Sequence, residues 1–257
     1  MNREIVVHPD AAAIAEAAAA RLLVRLLDLQ SHRSPLHVVL TGGTLGIDVV
    51  RALAASPVRE AVDWSGVHVW WGDERFVAAG SPDRNEVQAR EAGLATLPLP
   101  AGNIHPMGSS DTYSDPDAAA AAYAAELATF AEPPNEALGD GLPATVPLFD
   151  VLLLGVGPDG HVASLFPGHA TLTVTDVTVV GETASPKPPP ARVSLTFPAL
   201  RAAREVWMVA AGDGKAGAVA SALSGAPVDQ TPAAGALGRD RTLWLVDVTA
   251  AGAVPTP

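Results

Sequence analysis

The sequence predicts an α/β protein built on a mostly parallel sheet, and three features carry that expectation. Residues 149–154 (FDVLLL) are almost continuously apolar and rich in β-formers, the pattern of a strand covered on both faces. Residues 36–40 and 67–71 are two more short strand-like runs, each stopping abruptly at glycines or charges. Around them, helix-patterned and strand-patterned segments alternate with no internal repeat or linker, so residues 1–257 read as one domain.

In chain order, a short apolar lead comes first, and Asp10 then stands where it can cap an alanine-rich helix over 11–30, with Ile14, Leu22, Leu26 and Leu29 on one face. The strand at 36–40 runs into Thr41-Gly42-Gly43-Thr44 and a helical pattern over 45–54. Strand, Gly-Gly with flanking hydroxyls, then helix is a layout that aims free backbone N–H groups at an anion such as phosphate. It is also the layout of an ordinary tight turn, and without a Walker lysine or a full G-x-G-x-x-G it does not imply a nucleotide. The strand at 67–71 ends in Gly72-Asp73-Glu74-Arg75. Arg75 is expected to face the crevice at the sheet end, its guanidinium held by Glu74 or Asp73. Asp83 is placed to cap a helix over 86–93. Residues 97–107 read as a proline-punctuated loop, Ser114-Asp115-Pro116-Asp117 as a helix start, 118–130 as the helix, and 132–147 as a polar loop within the same domain.

The 149–154 strand leads into GVGPDGHVASLFPG. Glycines let the backbone turn sharply and approach a ligand, while Asp159 and His161 are the side chains there able to move protons. Such a loop lies where open α/β sheets bind ligands, beyond the carboxyl ends of the strands. A glycine-rich turn with a solvated Asp and His is the plainer alternative; four turn formers flanking D-x-H directly after a buried strand favour function. Residues 171–180 are β-branched and suit one or two strands. Pro186 to Arg192 form a stiff arm that fixes Lys187 and Arg192, followed by an apolar stretch over 193–197. Residues 198–204 look helical, 205–210 form a strand, and Gly212-Asp213-Gly214-Lys215 joins it to a helix over 216–223. A last strand covers 242–248.

Composition narrows the function. A net charge of −12 argues against a nucleic-acid surface, and no apolar run is long enough to cross a bilayer. The N-terminus lacks a secretory pattern, so a soluble, cytoplasmic protein is expected. There is no cysteine, hence no thiolate nucleophile, and the histidines show no H-x-H or H-E-x-x-H spacing, so no metal site is expected. Lys187 and Lys215 are the two lysines among 16 basic residues. A chain so biased to arginine has reason to keep an ammonium only where a compact charge is needed. Trp70 and Trp71 alternate across a strand, with core packing expected for both.

With these residues in place the chain is similar to the 6-phosphogluconolactonases of the pentose phosphate pathway, a family related in fold to glucosamine-6-phosphate deaminases. The matching blocks are TGG (41–43), WWGDERFV (70–77), DRN (83–85), LLGVGPDGHVASLFPGH (153–169), KPPPARVSLT (187–196) and GDGK (212–215). They lie in collinear order across nearly the whole chain. The resemblance implies a three-layer α/β/α fold with a Rossmann-like sheet, hydrolysis of a phosphorylated sugar lactone, and no cofactor. It implies His161 as general base, assisted by Asp159 and Arg75. Thr41, Gly42, Gly43, Thr44, Asp73, Arg84, Lys187, Arg192 and Lys215 are then the residues that hold phosphate and sugar acid. The expected partner is the small-molecule substrate, with no nucleic acid and no membrane, in a monomer or small homo-oligomer. The family turn reads SGGSTP; here Leu45 and Gly46 replace its Thr and Pro.

Two other functions fit parts of the pattern. A sugar-phosphate isomerase or deaminase on the same fold carries a Glu soon after D-G-H, as in FNEPG, whereas here Ser164-Leu165-Phe166-Pro167-Gly168 has no acid. A non-catalytic sugar-phosphate-binding regulator needs the phosphate turn but neither base nor water, and no DNA-binding segment is attached.

Overall fold

The structure is a computed structural model that describes residues 3–131 and 145–254. Its strands are β1 (Arg3–His8), β2 (Leu36–Leu40), β3 (Val67–Trp71), β4 (Asp73–Arg75), β5 (Val151–Gly155), β6 (Val179–Glu182), β7 (Arg192–Leu195), β8 (Glu205–Ala210) and β9 (Arg241–Asp247). Its α-helices are α1 (Ala11–Gln30), α2 (Gly43–Ala55), α3 (Asn85–Ala92), α4 (Pro116–Thr129), α5 (Phe197–Leu200) and α6 (Ala216–Leu223).

Six strands form an all-parallel sheet in the order β1-β9-β8-β5-β2-β3. Side chains alternate between two cores. Val38, Leu40, Val151, Leu153, Trp207, Val209, Leu243 and Leu245 meet α1, α2 and α3 on one face. Val39, Leu152, Leu154, Val206, Met208, Trp244 and Val246 meet α4, α5 and α6 on the other. This is a three-layer arrangement, as the family resemblance implies. Each fully buried Leu or Val stabilises by about 1.5–3 kcal/mol, and a one-residue slip would exchange the faces of a whole strand, so the alternation fixes the register. Trp70 and Trp71 are both wholly buried, one in each core, as expected of residues that alternate along β3.

The chain moves from β2 outward to β3, then returns to β5 on the other side of β2 and continues to β8 and β9. The strand order therefore reverses between β2 and β5. The loops after those two strands diverge there and leave a crevice, the general ligand position in open α/β sheets. A second, three-stranded sheet in the order β4-β7-β6 is antiparallel and closes over one side of that crevice.

Several expectations change. The apolar lead is an edge strand, β1, whose residues alternate between exposed and half-buried because one edge has no strand beside it among the described residues. The charged end of β3 is itself a short strand, β4. Of the one or two strands expected over 171–180, one is present, β6, which takes up only the end of the run, while Ala170–Thr173 is a 3-10 turn. Asp83 does not cap α3; its cap position is Arg84, and Glu74 supplies the acceptors. The helix expected over 198–204 is the single turn α5. The loop expected over 132–147 lies largely outside the described residues. Asp10 caps α1 as expected, accepting from the Ala13 N–H at 2.8 Å.

Candidate active site

A cleft of about 300 Å³ opens at the β2–β5 switch point. The turn after β2 forms its floor. Gly42 is the N-cap of α2 and offers no side-chain acceptor, so the first N–H groups of this helix are left for a ligand. Gly43 has φ +76°, the left-handed region that glycine enters without cost. Thr41 is turned inward, its Oγ1 accepting from Gly155 N–H at 3.1 Å, which ties this turn to the loop after β5. A Cβ at residue 46 would lie 2.5 Å from the Thr41 carbonyl oxygen and 2.7 Å from its methyl. Gly46 is thus what lets α2 start so close to a threonine.

The loop after β5 carries His161. Its backbone carbonyl accepts from Gly157 N–H at 2.9 Å, and Gly160, at φ +81°, completes the turn. His161 Nδ1 is hydrogen-bonded to Asp159 Oδ1, and the ring leans on Phe166 with centroids 4.8 Å apart. Partial burial works to raise the Asp159 pKa. The hydrogen bonds and positive charge of His161 outweigh it and hold the carboxyl at about 2. Asp159 is therefore ionised and acceptor-only, so His161 Nδ1 is the donor in this bond, and it is the neutral tautomer with Nε2 as acceptor that the carboxylate favours. Asp159 itself stands behind the histidine and is not among the residues lining the cleft.

The cations come from three places. Arg75 and Arg192 are direct cross-strand partners on the antiparallel β4–β7 pair. Like charges so placed repel, and an anion between them relieves the repulsion. Lys187 enters from the proline arm and Lys215 from the turn before α6. Both line the same cleft; burial lowers the Lys215 pKa first and the charge of Lys187 lowers it further. Arg192 is 5% exposed and spends much of its guanidinium internally: Nε donates to Pro189 O at 2.8 Å, and Nη2 to Lys187 O at 3.1 Å and Pro188 O at 3.2 Å. It clamps the arm that carries Lys187 as well as facing the cleft.

Of the residues expected from sequence, Thr41, Gly42, Gly43, Thr44, Asp73, Arg75, His161, Lys187, Arg192 and Lys215 all line the cleft. Arg84 does not. It is buried behind the site, with Nη2 donating to Met107 O at 2.6 Å and a Glu74 carboxylate oxygen 3.9 Å away. Neither Glu74 nor Asp73 holds Arg75. The Glu74 carboxylate is taken up by the backbone N–H groups of Arg75, Asn85 and Glu86, at 2.8, 2.7 and 2.9 Å, and Arg75 Nη1 donates instead to Asn85 Oδ1. Asn85 and Ser164 are lining residues that the sequence reading did not single out, although both lie inside the matched blocks. Ser164 Oγ donates to Asp73 Oδ2 at 2.7 Å and so aims that carboxylate. No cluster of three metal-ligating side chains occurs among the described residues.

A family model described as glucosamine-6-phosphate isomerases/6-phosphogluconolactonase matches residues 9–244. The chain is 57% identical to a 6-phosphogluconolactonase of Streptomyces coelicolor, over 98% of this chain and 95% of that protein. It is 44% identical to that of Mycobacterium tuberculosis, over the whole of both. Among solved structures, that of 6-phosphogluconolactonase from Trypanosoma brucei superposes with a TM-score of 0.82 at 29% identity, covering 99% of each chain.

Proposed function

This chain belongs to the glucosamine-6-phosphate isomerase/6-phosphogluconolactonase family, and from that premise we propose that it hydrolyses 6-phospho-D-glucono-1,5-lactone to 6-phospho-D-gluconate with His161 as general base. The carrying observation is His161, oriented by an ionised Asp159, at the mouth of a cleft holding Arg75, Lys187, Arg192 and Lys215. Phosphate binds the α2 N-terminus and the two ammonium groups. This anchors the lactone carbonyl near the imidazole. Nε2 takes a proton from water as the water oxygen attacks C1, and the carbonyl oxygen becomes an oxyanion stabilised by neighbouring donors, Arg75 among them. The tetrahedral adduct collapses by breaking the C1–O5 bond. The imidazolium returns its proton to O5, leaving the free hydroxyl and the carboxylic acid, which then ionises. Atoms and charges balance without a protein nucleophile.

An activated ester needs no more machinery than this. The isomerase alternative lacks its acid: the residues of the same loop after His161 that line the cleft are Ala163, Ser164 and Phe166. A regulator would have no use for an Asp-oriented histidine. Among the described residues no helix is long and apolar enough to cross a membrane. A phosphorylated substrate that does not cross bilayers supports action in the cytoplasm. Cores on both faces of one sheet support a single domain over 1–257.

The test is a coupled assay in which freshly made lactone is supplied and 6-phosphogluconate is followed above the enzyme-free rate at each pH. Glucono-lactone without phosphate is expected to lose about 10²-fold or more in kcat/KM, since charge-assisted bonds to a dianion contribute on the order of 1.5–3 kcal/mol each. Equal kcat/KM for the two lactones would remove the phosphate site.

A further inference from the structure

We propose that Asn85 is the positioning residue of this site: its side-chain amide links the catalytic arginine to the phosphate turn and sets where Arg75 points. The proposal rests on the lactonase reading for the role of Arg75, but its structural content is independent of the reaction.

Asn85 is 2% exposed, the first residue of α3, and reaches the cleft only by its amide. Oδ1 accepts from Arg75 Nη1, and Nδ2 donates to the Asp73 carbonyl oxygen at 2.8 Å. An arginine has donors only and a backbone carbonyl accepts only, so the two contacts together demand one acceptor and one donor on a single short planar group. Aspartate and leucine have the shape but lack that pairing. Against its other side lies the phosphate turn: a Cβ at residue 42 would overlap Asn85 Oδ1 and Cγ. The amide thus occupies the space that glycine leaves open beside the turn, and the Oδ1 that fills it is the one that accepts from Arg75.

Asn85 is in turn fixed from below. Its backbone N–H donates to Glu74 Oε1, and Glu74 is wholly buried. Held by Asn85 at one terminal nitrogen, Arg75 has its Nε buried with no hydrogen-bond partner among the described residues. The side chain lines the cleft with its position set from the Asn85 side. A guanidinium held this way needs no reorganisation when negative charge develops beside it.

The experiment is a double-mutant cycle of Asn85→Ala and Arg75→Ala, read in kcat/KM for the lactone and, separately, in Kd for 6-phosphogluconate by calorimetry. Asn85→Ala is expected to lower kcat/KM by about 10- to 100-fold beside Arg75, the range of one charge-assisted bond, and by less than about 2-fold when residue 75 is already alanine. The Kd is expected to show the same non-additivity. Asn85→Asp is the second variant: it keeps the shape, but its carboxylate cancels the arginine charge and sets an oxygen against the Asp73 carbonyl, so at least a 10-fold loss in kcat/KM is expected together with a lower Tm. Additive effects of the two alanines, or an aspartate variant within 2-fold of wild type, would overturn the proposal. A protein that binds 6-phosphogluconate but turns over no lactone refutes the reaction alone, because the cycle is then read in Kd.

Discussion

His161 reaches the cleft past a residue that has no side chain. A Cβ at position 157 would overlap its Nδ1 and Cε1, while residue 157 lies outside the left-handed region, so alanine there strains nothing but the imidazole and its bond to Asp159. Gly157→Ala is expected to cut kcat by about 10²-fold, the scale of a misplaced catalytic group, with the Tm and the Kd for 6-phosphogluconate little changed. His161→Gln is expected to lose roughly 10²- to 10⁴-fold in kcat/KM with product binding again retained. Near wild-type turnover in that variant, after subtraction of the enzyme-free rate, would put the base elsewhere. Glu74 is no substitute, being sealed from the cleft by three N–H groups. With Asp159 held at about 2 it is ionised throughout the assay range. The rise of kcat/KM with pH is therefore expected to follow a single ionisation with no second acid limb from this carboxylate.

The small elements aim the charges. β4 is three residues long, and nothing in DER taken alone says strand; it exists because β7 pairs with it, which is also what sets Arg75 opposite Arg192. α3 begins where Glu74, eleven residues upstream of Asn85, supplies the acceptors that a local cap usually gives. Removing that carboxylate leaves three backbone donors, two of them buried, and the Arg84 guanidinium without it. Glu74→Ala is accordingly expected to cost on the order of 3 kcal/mol, seen as a lower midpoint in urea unfolding. A loss below about 1 kcal/mol would mean that water or a shifted helix start replaces it. The sequence offered Asp83 for this cap because Asp just before a helix is the local signal. A carboxylate from another element carries no such signal.

At the scale of the molecule, the two ends of the sheet have opposite characters. The carboxyl end gathers cations for a ligand, whereas the other end, on the α4 face, packs together the buried His37 and His105 and the half-buried His68. His37 Nδ1 accepts from Trp70 Nε1 at 3.1 Å, His68 Nδ1 lies 2.9 Å from His105 Nε2, and His105 Nδ1 meets Glu126 at 2.6 Å. Burial, then the charges of His68, His105 and Arg33, lower the His37 pKa from 6.5 to about 3, and burial lowers that of His68 as well. The unfolded chain takes up a proton near 6.5 that the folded chain refuses until about 3. Stability from this source is thus complete above 6.5 and falls as pH drops toward 3. Tm is expected to decline over that window, and less steeply in His37→Asn, which keeps a neutral acceptor for Trp70. An unchanged slope would remove His37 from the acid sensitivity.

The sequence by itself determined the layers and the floor of the site. Leu36–Leu40, Val67–Trp71 and Glu205–Ala210 were legible as strands, and Ala11–Gln30 as a helix, because burial on one or both faces imposes a local period. The Gly-Gly turn and D-G-H were legible because backbone turns and proton transfer restrict residue type locally. Only the tertiary structure decided which charges are free. Arg75 and Arg84 are both arginines in charged segments after the same strand, yet Arg75 enters the cleft on Asn85 and Arg84 is consumed by the Met107 carbonyl. A cation's availability depends on acceptors brought to it by pairing and packing far along the chain, and the energy of those contacts leaves no mark in the local pattern.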